Sequence, residues 1–296
     1  MKGRGSMKIP VQRVAAIHDL SGFGRASLTA IIPILSTMGI QVCPVPTAVL
    51  SSHTGDFTDY TFVDLTDQLE AYVNHWKKLE IEFDAIYSGF LGSPKQIAIV
   101  SDFIDHFGND NNLVLVDPVM GDNGELYATM DNEMVVNMRN LVGKADIITP
   151  NFTEAAYLLG EEYDESIDGA GVKKWLKRLS EMGPGTVILT SVPNPDGDKN
   201  TSVIAYDKRH DKYWKVSCRY IPAHFPGTGD AFASIVVGSL LQGDSLPVAM
   251  ERAVQFITTA IRASYGFEYP KREGVLLERV LNTLNLPVIG SSYELL

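Results

Sequence analysis

Short apolar runs and longer segments of helical periodicity alternate along most of this chain. The apolar runs predict strands at Val11–Ile17, Ile40–Leu50, Phe83–Tyr87, Leu113–Val116, Ala145–Thr149, Thr186–Thr190, Ser202–Tyr206 and Tyr213–Cys218. The periodic segments predict helices at Leu28–Thr37, Thr66–Leu79, Ser93–His106, Asp131–Leu141, Thr153–Leu159, Gly169–Met182, Asp230–Leu241, Pro247–Ser264 and Glu273–Leu284. Such repeated strand–helix alternation favours an α/β fold with a mostly parallel central sheet and helices on both faces.

Length and composition indicate one globular domain. The chain has 296 residues, of which 45% are hydrophobic, so it can bury a sizeable core. It contains no internal repeat, linker or low-complexity block, and we therefore predict a single domain over residues 7–296. Residues 1–6 precede a second methionine, Met7, and are interpreted as an appended remnant rather than part of the fold.

The charge of the chain excludes two classes of partner. The formal net charge is −11 and the basic residues are not clustered, which is unsuited to binding nucleic acid or an anionic membrane. No apolar run approaches the ~18 residues of a membrane span. Cys43 and Cys218 are too few and too far apart for a disulfide framework or a zinc site, so we expect a reducing, cytoplasmic location.

One glycine-rich motif points to chemistry. Pro226-Gly227-Thr228-Gly229-Asp230 precedes an apolar run that predicts a buried helix, so free N–H groups at the helix start can hold phosphate oxygens. A bound phosphate alone would not favour the adjacent carboxylate of Asp230, but a base that takes a proton from an attacking hydroxyl would lie there. The motif predicts phosphoryl transfer to an alcohol. The alternative is an ordinary glycine-rich turn in which Asp230 only complements the helix start.

Polar residues follow the first two predicted strands, where ligands bind in open α/β sheets. Asp19 is interpreted as an acceptor for a substrate hydroxyl or amine, or as a turn cap. Gly22 and Gly24 do not complete a dinucleotide fingerprint, because the third glycine position is Ser27, which instead predicts a cap for the first helix. No P-loop motif occurs. The segment 51–55 suits an aromatic nitrogen heterocycle or a polyol, although its histidine is equally compatible with a structural role.

A pair of carboxylates follows the predicted strand Leu113–Val116. Asp117 and Asp122 flank a turn that contains proline and glycine, and hard oxygen ligands on such a loop suit Mg²⁺. The alternative is two solvated loop acids. Asn151 and Glu154 lie three residues apart across a helix start and are able to face the same site.

Two further observations at strand ends leave alternatives open. Thr153 is interpreted as the cap of the helix that follows, in which case Glu154 only complements the helix dipole. Thr190 and Ser191 follow another strand and offer hydroxyls to a nucleotide phosphate, although both residue types are common in turns.

Taken together, these motifs resemble the ribokinase-like superfamily and, within it, the pyridoxal (vitamin B6) kinases. Gly227–Asp230 carries the resemblance to the superfamily. The narrower resemblance rests on four motifs in order, namely Ser52-His53-Thr54-Gly55, Ser88-Gly89-Phe90-Leu91-Gly92-Ser93, Asp117-Pro118-Val119-Met120-Gly121-Asp122 and Thr149-Pro150-Asn151-x-x-Glu154. It extends from about Val11 to the last helices, so it covers nearly the whole chain.

The resemblance implies transfer of the ATP γ-phosphoryl group to the 5′-hydroxymethyl group of pyridoxal, pyridoxamine or pyridoxine. It implies that Asp230 is the general base and that the amides of Gly227, Thr228 and Gly229 stabilise the transferring group. It also implies a Mg²⁺ site at Asp117, Asp122, Asn151 and Glu154, phosphate contacts from Thr190 and Ser191, and ring contacts from His53, Thr54 and Tyr127. A monovalent cation such as K⁺ near the nucleotide and a homodimer complete these expectations. Separately, the segment Lys208–Phe225 is interpreted as a nucleotide-side flap.

Two departures from the pyridoxal kinase pattern put the preferred ring in doubt. Asp19 stands where many pyridoxal kinases have serine, and the following Leu20-Ser21-Gly22 is more similar to hydroxymethylpyrimidine kinases. Phe90 stands where several relatives have tyrosine, which removes one phenolic hydrogen bond from the pocket. A hydroxymethylpyrimidine or other small-alcohol kinase is therefore the nearest alternative. A non-catalytic B6-vitamer binder is an alternative of another class, which the intact Asp230 argues against.

Overall fold

The structure is a computed structural model that describes residues 10–193, 200–219, 221–288, 290 and 292–296. Its strands are β1 (Arg13–Ser21), β2 (Gln41–Leu50), β3 (Phe62–Asp64), β4 (Ala85–Ser88), β5 (Leu113–Val116), β6 (Gly121–Asp122), β7 (Glu125–Leu126), β8 (Ile147–Ile148), β9 (Thr186–Val192), β10 (Asn200–Asp207), β11 (Lys212–Arg219) and β12 (Tyr293–Leu295). Its helices are α1 (Leu28–Thr37), α2 (Thr66–Lys78), α3 (Pro94–Phe107), α4 (Asn132–Val142), α5 (Phe152–Leu159), α6 (Gly169–Glu181), α7 (Thr228–Leu241) and α8 (Leu246–Tyr265).

Across the described residues, ten strands form one sheet in the order β12-β11-β10-β9-β8-β5-β4-β1-β2-β3. The six strands from β9 to β2 in this order are parallel. Antiparallel β3 covers one edge, and β10, β11 and β12 extend the other. The predicted α/β fold with a mostly parallel sheet is confirmed.

Two apolar cores lie on the two faces of the sheet. Successive side chains of β1 point to opposite faces, so Val14 and Ala16 pack with α1, α7 and α8, whereas Ala15 and Ile17 pack with the core of helices α2 to α6. Because both faces are covered, the central strands are mostly apolar, and the polar residues of β1 and β4 that are buried lie toward their carboxyl ends. Helices on both faces were predicted from the sequence, and this prediction is confirmed.

The register of the sheet aligns the carboxyl ends of the central strands. One row of paired residues crosses β1, β4, β5 and β8, and consists of Ile17, Ser88, Val116 and Ile148. The next residues along the chain therefore emerge side by side at the same edge, and they are His18, Gly89, Asp117 and Thr149. This edge carries the site described below.

The predicted last helix, Glu273–Leu284, is wrong. The segment forms three short 3₁₀ turns, Lys271–Glu273, Leu277–Arg279 and Leu281–Asn285. Gly274 has a φ of 80°, and a Cβ there would lie 2.9 Å from the carbonyl oxygen of Arg25. The backbone amide of Arg25 donates to the carbonyl oxygen of Glu273 at 3.0 Å, so a contact distant in sequence replaces helical hydrogen bonds.

Several short strands differ from expectation. The sequence analysis did not predict β3, the β6–β7 hairpin or β12. The predicted strand Tyr213–Cys218 is present as β11, which pairs with both β10 and β12, and the flap at Lys208–Phe225 stays a prediction. Within the described ranges, no helix combines the length and apolar character needed to cross a lipid bilayer. The single-domain reading stays a prediction, and residues 1–6 lie outside the described residues.

Candidate active site

A cavity of about 690 Å³ opens at the carboxyl edge of the parallel strands, which is a size typical of small-molecule sites. Every residue that the sequence predicted for the site lines it. They are Asp19, His53, Thr54, Phe90, Asp117, Asp122, Tyr127, Asn151, Glu154, Thr190, Ser191, Gly227, Thr228, Gly229 and Asp230. Segments that are far apart in sequence are thus brought to one place by the strand order.

The start of α7 forms a concave anion cradle. Gly227, which precedes the helix, has a φ of 81°, and a Cβ there would lie 2.1 Å from the carbonyl oxygen of Arg25, so only glycine fits. Apart from its chain neighbours and its own helix, no described heavy atom lies within 4 Å of the Cβ position at Gly229. The first N–H groups of a helix have no intrahelical partner, so those of the first turn of α7 are free to bind an anion at this open space.

Asp230 lies in the first turn of α7, and its side chain is only 15% exposed. Its Oδ2 accepts a hydrogen bond of 2.8 Å from the backbone amide of Ser27. Burial raises the pKa of Asp230 to about 7, with a further rise from the charge of Asp19 and an opposing effect of the Ser27 amide. A carboxyl group with this pKa is poised to exchange a proton near neutral pH.

Ser27 does not cap α1 as predicted, because its side chain makes no capping hydrogen bond. It has a φ of 51°, a strained conformation for a residue other than glycine, and its Oγ donates to Oδ1 of Asp19 at 2.5 Å. Asp19 is buried and also accepts a hydrogen bond of 2.9 Å from the Ser21 hydroxyl. Burial raises the pKa of Asp19, and both hydroxyl donors oppose that rise. Ser27 therefore links Asp230 to Asp19.

We call Asp117, Asp122, Asn151, Glu154 and Asp230 the acidic end of the cavity. Asp117 is buried beside Thr149, whose hydroxyl donates to it at 2.9 Å. Burial, and then the charge of Asp230, raises the pKa of Asp117 to about 7. Burial and the charge of Asp117 likewise raise the pKa of Glu154. Asp122 is half-buried, and its Oδ2 lies 4.0 Å from Nδ1 of the exposed His224.

Asn151, not Thr153 as predicted, caps α5. The side-chain Oδ1 of Asn151 accepts from the backbone amide of Glu154 at 2.9 Å. In return, a Glu154 carboxylate oxygen accepts from the backbone amide of Asn151 at 2.8 Å, and the two bonds together form a capping box. Thr153 instead accepts a hydrogen bond from the amide of Gly124. The capping box turns Glu154 inward, and its other oxygen accepts from the backbone amide of Met120 at 3.1 Å.

The donor set of the acidic end fits a divalent cation. Among the described residues, no basic side chain forms an ion pair with Asp117 or Glu154. Two buried carboxylates without a counter-ion are unfavourable, and a hard cation would offset them. In the same described ranges, no group of three or more His, Cys, Asp or Glu side chains encloses a metal position. Mg²⁺ keeps several waters and is bound in proteins by one or two carboxylates together with substrate phosphates, so the two buried carboxylates are the kind of donors that it uses.

We call Asp19, His53, Thr54, Phe90 and Tyr127 the ring end of the cavity. Nδ1 of His53 accepts from the Gly55 amide at 3.1 Å, so the proton lies on Nε2, which is 2.6 Å from the carbonyl oxygen of Arg272. Both ring nitrogens are therefore held by backbone, and the ring, which lines the cavity, also packs against Phe57 with 4.9 Å between ring centroids. Thr54 and Tyr127 are exposed, and Phe90 is half-buried.

Thr190 and Ser191 lie at the end of β9. Thr190 forms a parallel bridge with Asn151, and its amide donates to the carbonyl oxygen of Pro150 at 2.9 Å. Ser191 is exposed and has a φ of 55°. Both residues line the cavity on the side of the acidic end.

The family model described as phosphomethylpyrimidine kinase matches residues 21–275, which is most of the chain. The chain belongs to the phosphomethylpyrimidine kinase family. It is therefore a kinase, and kinases of this family use ATP and Mg²⁺ in general. The predicted ribokinase-like fold and the resemblance to pyridoxal kinases are confirmed.

Two solved structures are similar to this chain over nearly its whole length. A Bacteroides thetaiotaomicron protein with a provisional phosphomethylpyrimidine kinase name is 56% identical, with a TM-score of 0.94 over 97% of this chain and 100% of that chain, and its orthorhombic crystal form contains pyridoxal. Pyridoxal kinase from Lactobacillus plantarum is 30% identical, with a TM-score of 0.85 over 92% of this chain and 96% of that chain.

A curated relative carries the other substrate class. The hydroxymethylpyrimidine/phosphomethylpyrimidine kinase of Bacillus subtilis is 27% identical over 255 residues, which cover 86% of this chain and 83% of that protein. Pyridoxal and hydroxymethylpyrimidine kinases thus both occur among the relatives of this family member.

The sequence reading missed two buried groups that surround Asp230. Nδ1 of His18 lies 3.9 Å from Oδ1 of Asp230, and the Tyr87 hydroxyl donates to the Asp230 carbonyl oxygen at 3.3 Å. His18 had a signal, because it is a polar residue on the same face of β1 as Val14 and Ala16. Tyr87 had none, since a tyrosine in an apolar strand is ordinary.

Proposed function

We propose that this protein transfers the γ-phosphoryl group of ATP to the 5′-hydroxymethyl group of pyridoxal, pyridoxamine or pyridoxine. The observation that carries the proposal is the position of the Asp230 carboxylate, which lies in the first turn of α7 and faces the same cavity as Asp117 and Glu154. An anion cradle, a base and a cation site are the parts that phosphoryl transfer to an alcohol requires.

Asp230 is the general base in this proposal. Its raised pKa matches proton removal from a hydroxymethyl group near neutral pH, because a base is most effective when its pKa is close to the working pH. The Ser27 amide holds Oδ2 at 2.8 Å, which fixes the carboxylate near the cradle. In this proposal the acceptor hydroxyl lies between the Asp230 carboxylate and the free N–H groups at the start of α7.

The remaining residues of this end bind and neutralise charge. The amides of Gly227, Thr228 and Gly229 hold the transferring phosphoryl group, to which the α7 dipole adds roughly half a positive charge. Asp117, Asp122 and Glu154 hold Mg²⁺ directly or through water, and Asn151, Thr190 and Ser191 contact the nucleotide phosphates. When bound, Mg²⁺ offsets the charge that develops on the phosphate oxygens.

The ring end supports an aromatic nitrogen heterocycle as acceptor. The rings of His53, Phe90 and Tyr127 offer flat surfaces for such a ring, and the Asp19 carboxylate offers an acceptor for its polar substituents. The pyridoxal in the crystals of the Bacteroides thetaiotaomicron relative supports a B6 vitamer as that ring.

A second candidate is phosphorylation of hydroxymethylpyrimidine. It is favoured by Asp19, which replaces the serine of many pyridoxal kinases, and by the similarity to the Bacillus subtilis kinase of that substrate. The amine of a pyrimidine would donate a hydrogen bond to the buried Asp19 carboxylate. The phenolic hydroxyl of a B6 vitamer would also donate to it. The residues proposed for phosphoryl transfer at the acidic end are compatible with either ring as the acceptor.

A substrate panel tests the proposal. The purified protein with ATP and Mg²⁺ is given pyridoxal, pyridoxamine, pyridoxine or hydroxymethylpyrimidine, and ADP release and the mass of the phosphate ester are measured. We expect the highest kcat/KM for a B6 vitamer. A higher kcat/KM for hydroxymethylpyrimidine than for all three vitamers supports the second candidate instead. Tight vitamer binding without turnover supports a non-catalytic binder.

Three further expectations belong to the same proposal. A monovalent cation such as K⁺ stimulates the reaction, the protein forms a homodimer and it acts in the cytoplasm. Activity measured with and without K⁺, and sedimentation of the purified protein, test the first two.

A further inference from the structure

His18 is a buried polar residue that the mechanism above does not use. It lies near the carboxyl end of β1 with its side chain fully buried. Neither ring nitrogen has a hydrogen-bond partner among the residues that the structure describes. Buried polar side chains are normally hydrogen-bonded, so an imidazole without a partner at this position calls for an explanation.

The ring of His18 is held in one place by its neighbours. Its edge contacts the ring of Tyr87, with 4.4 Å between ring centroids. A Cβ at position 89 would lie 2.2 Å from Cε1 of His18, so the glycine at this position leaves room for the imidazole. The backbone carbonyl of Asp230 is fixed as well, since it accepts from the hydroxyls of Tyr87 and Ser234 at 3.3 and 2.7 Å.

The ring faces Oδ1 of Asp230, which receives no hydrogen bond from the residues that the structure describes. Oδ2 accepts from the Ser27 amide, whereas Oδ1 lies 3.9 Å from Nδ1 of His18. That distance exceeds the length of an ordinary hydrogen bond by about 1 Å. A small rotation of the Asp230 side chain would close the gap, and catalytic hydrogen bonds often tighten only in the reacting complex.

We propose that His18 is a positioning residue for Asp230, whose Nδ1–H donates to Oδ1 of the carboxylate in the reacting complex. Donors on opposite sides, Ser27 on Oδ2 and His18 on Oδ1, then fix the plane of the carboxylate. Its remaining lone pair points at the acceptor hydroxyl. This inference rests on the proposed role of Asp230 as base.

The protonation of the ring is consistent with this role. Burial lowers the pKa of His18 to about 3, so the imidazole is neutral and carries one hydrogen at working pH. A neutral donor orients the carboxylate without removing its ability to take a proton.

Two substitutions separate the two ring nitrogens. In His18→Asn the side-chain amide occupies about the position of Nδ1, whereas in His18→Gln it occupies about the position of Nε2. We expect kcat of His18→Asn to stay within about threefold of wild type and kcat of His18→Gln to fall by about tenfold or more. The KM values for ATP and for the acceptor are expected to change by less than about twofold in both. Equal kcat values for the two variants would overturn the proposal.

A third variant tests the same idea through stability. His18→Leu removes an unpartnered polar group from an apolar position, so we expect an unchanged or higher Tm together with a kcat lowered by about 10–100-fold. Ile188→Val, a buried change on the same face of the sheet, is the packing control and is expected to lower Tm by about 2–4 °C at unchanged kcat. A His18→Leu protein with wild-type kcat would contradict the proposal.

A double-mutant cycle ties the effect to Asp230. If His18 acts through that carboxylate, His18→Leu causes no further loss of kcat in an Asp230→Asn protein. Independent, multiplicative losses would show that His18 acts elsewhere and would overturn the inference.

The same variants also separate the proposal for His18 from the proposal for Asp230. Full activity of Asp230→Asn alone sinks the proposed base, whereas an inactive Asp230→Asn with a fully active His18→Leu sinks only the role of His18.

Discussion

At the acidic end of the cavity, Asp117 and Glu154 are buried carboxylates without a basic partner among the described residues. At the ring end, by contrast, both nitrogens of His53 are already bonded to backbone groups of the chain. The acidic end therefore holds buried carboxylates without a counter-ion, whereas at the ring end backbone groups already hold the imidazole of His53, and the hydroxyls of Ser21 and Ser27 donate to the Asp19 carboxylate.

This difference teaches where each kind of residue acts. An incomplete charge distribution stabilises whatever cation and phosphate groups complete it, so changes at the acidic end are expected to affect the chemical step and the metal requirement. A completed hydrogen-bond network holds a shape, so changes at the ring end are expected to affect which ring is preferred. Substitutions at the two ends are therefore expected to change different kinetic properties.

Asp230→Asn removes the proposed base while preserving shape. We expect kcat to fall by about 10²–10⁴-fold, with nucleotide binding largely retained, because the amide cannot accept the hydroxyl proton. Steady-state kinetics and a nucleotide-binding assay measure the two properties. Asp168→Asn is the control, since this exposed carboxylate caps α6 and asparagine caps equally well. If Asp230→Asn retains wild-type kcat, the acidic end does not contain the base.

Gly229→Ala places a methyl group in the open space of the anion cradle. We expect kcat/KM for ATP to fall by about 10–100-fold because the phosphoryl group is displaced, while Tm stays unchanged or rises, since alanine favours a helix over glycine. Gly169→Ala is the matched control, because it lies in the first turn of α6 and its Cβ also meets open space. Unchanged ATP kinetics in Gly229→Ala would mean that phosphate does not occupy this space.

The pKa values of the acidic end predict the pH dependence of activity. Because the pKa of Asp230 is raised to about 7 by burial, the base is progressively protonated below that pH. We expect kcat/KM for the acceptor to fall about tenfold for each pH unit below about 7. A pH–rate profile that stays flat down to about pH 5 would contradict the assignment.

The raised pKa values of Asp117 and Asp230 also predict that the stability of the fold falls as pH rises, whereas activity rises. A carboxyl group whose pKa is raised on folding favours the folded state at low pH, and this contribution is lost as pH rises from about 4 through about 7. Without Mg²⁺, we therefore expect Tm to be higher at about pH 6 than at about pH 8. Mg²⁺ is expected to raise Tm more at the higher pH, and an equal shift at both would argue against a metal site at these carboxylates.

Glu154→Gln tests the metal requirement. We expect the Mg²⁺ concentration for half-maximal activity to rise by about tenfold, since a negatively charged ligand becomes neutral. The glutamine oxygen can still accept from the Asn151 backbone amide and keep the capping box, whereas the hydrogen bond from the Met120 backbone amide is lost. Glu133→Gln, in the first turn of α4, is the control for loss of a negative charge. An unchanged Mg²⁺ titration would remove Glu154 from the metal site.

Phe90→Tyr is expected to have the smallest effect. It restores the phenolic group of several relatives at the ring end, and one added hydrogen bond corresponds to about a two- to tenfold lower KM for the preferred acceptor. We expect kcat and the Mg²⁺ requirement to stay unchanged, as the division between the two ends demands. A large change in kcat would show that the two ends are not separate.

Much of the fold could be predicted because it follows from local patterns. Alternating apolar and amphipathic segments predicted the order of most strands and helices and the two-faced sheet, since burial on both faces leaves a visible trace in the sequence. The site was predictable for a similar reason, because parallel strands end at one edge and their following residues meet there.

What failed depended mostly on contacts outside the local segment, although the capping box of Asn151 and Glu154 is itself a local pattern. Ser27 and Thr153 have the chemistry of helix caps, yet Ser27 bonds Asp19 and Thr153 bonds Gly124, while the actual cap of α5 is Asn151. The last predicted helix is replaced by 3₁₀ turns for the same reason, since Arg25 occupies the backbone carbonyl of Glu273.

Residue type and spacing along the chain were enough to predict the α/β architecture, the anion cradle before α7 and the polar residues at the strand ends, whereas Tyr127 and Phe90 were predicted only through the resemblance to pyridoxal kinases. Only the tertiary structure decided that Ser27 and His18 surround the Asp230 carboxylate and that His53 is held by Arg272. These partners lie roughly two hundred residues apart. Their distances follow from sheet register and helix packing, which no local pattern contains.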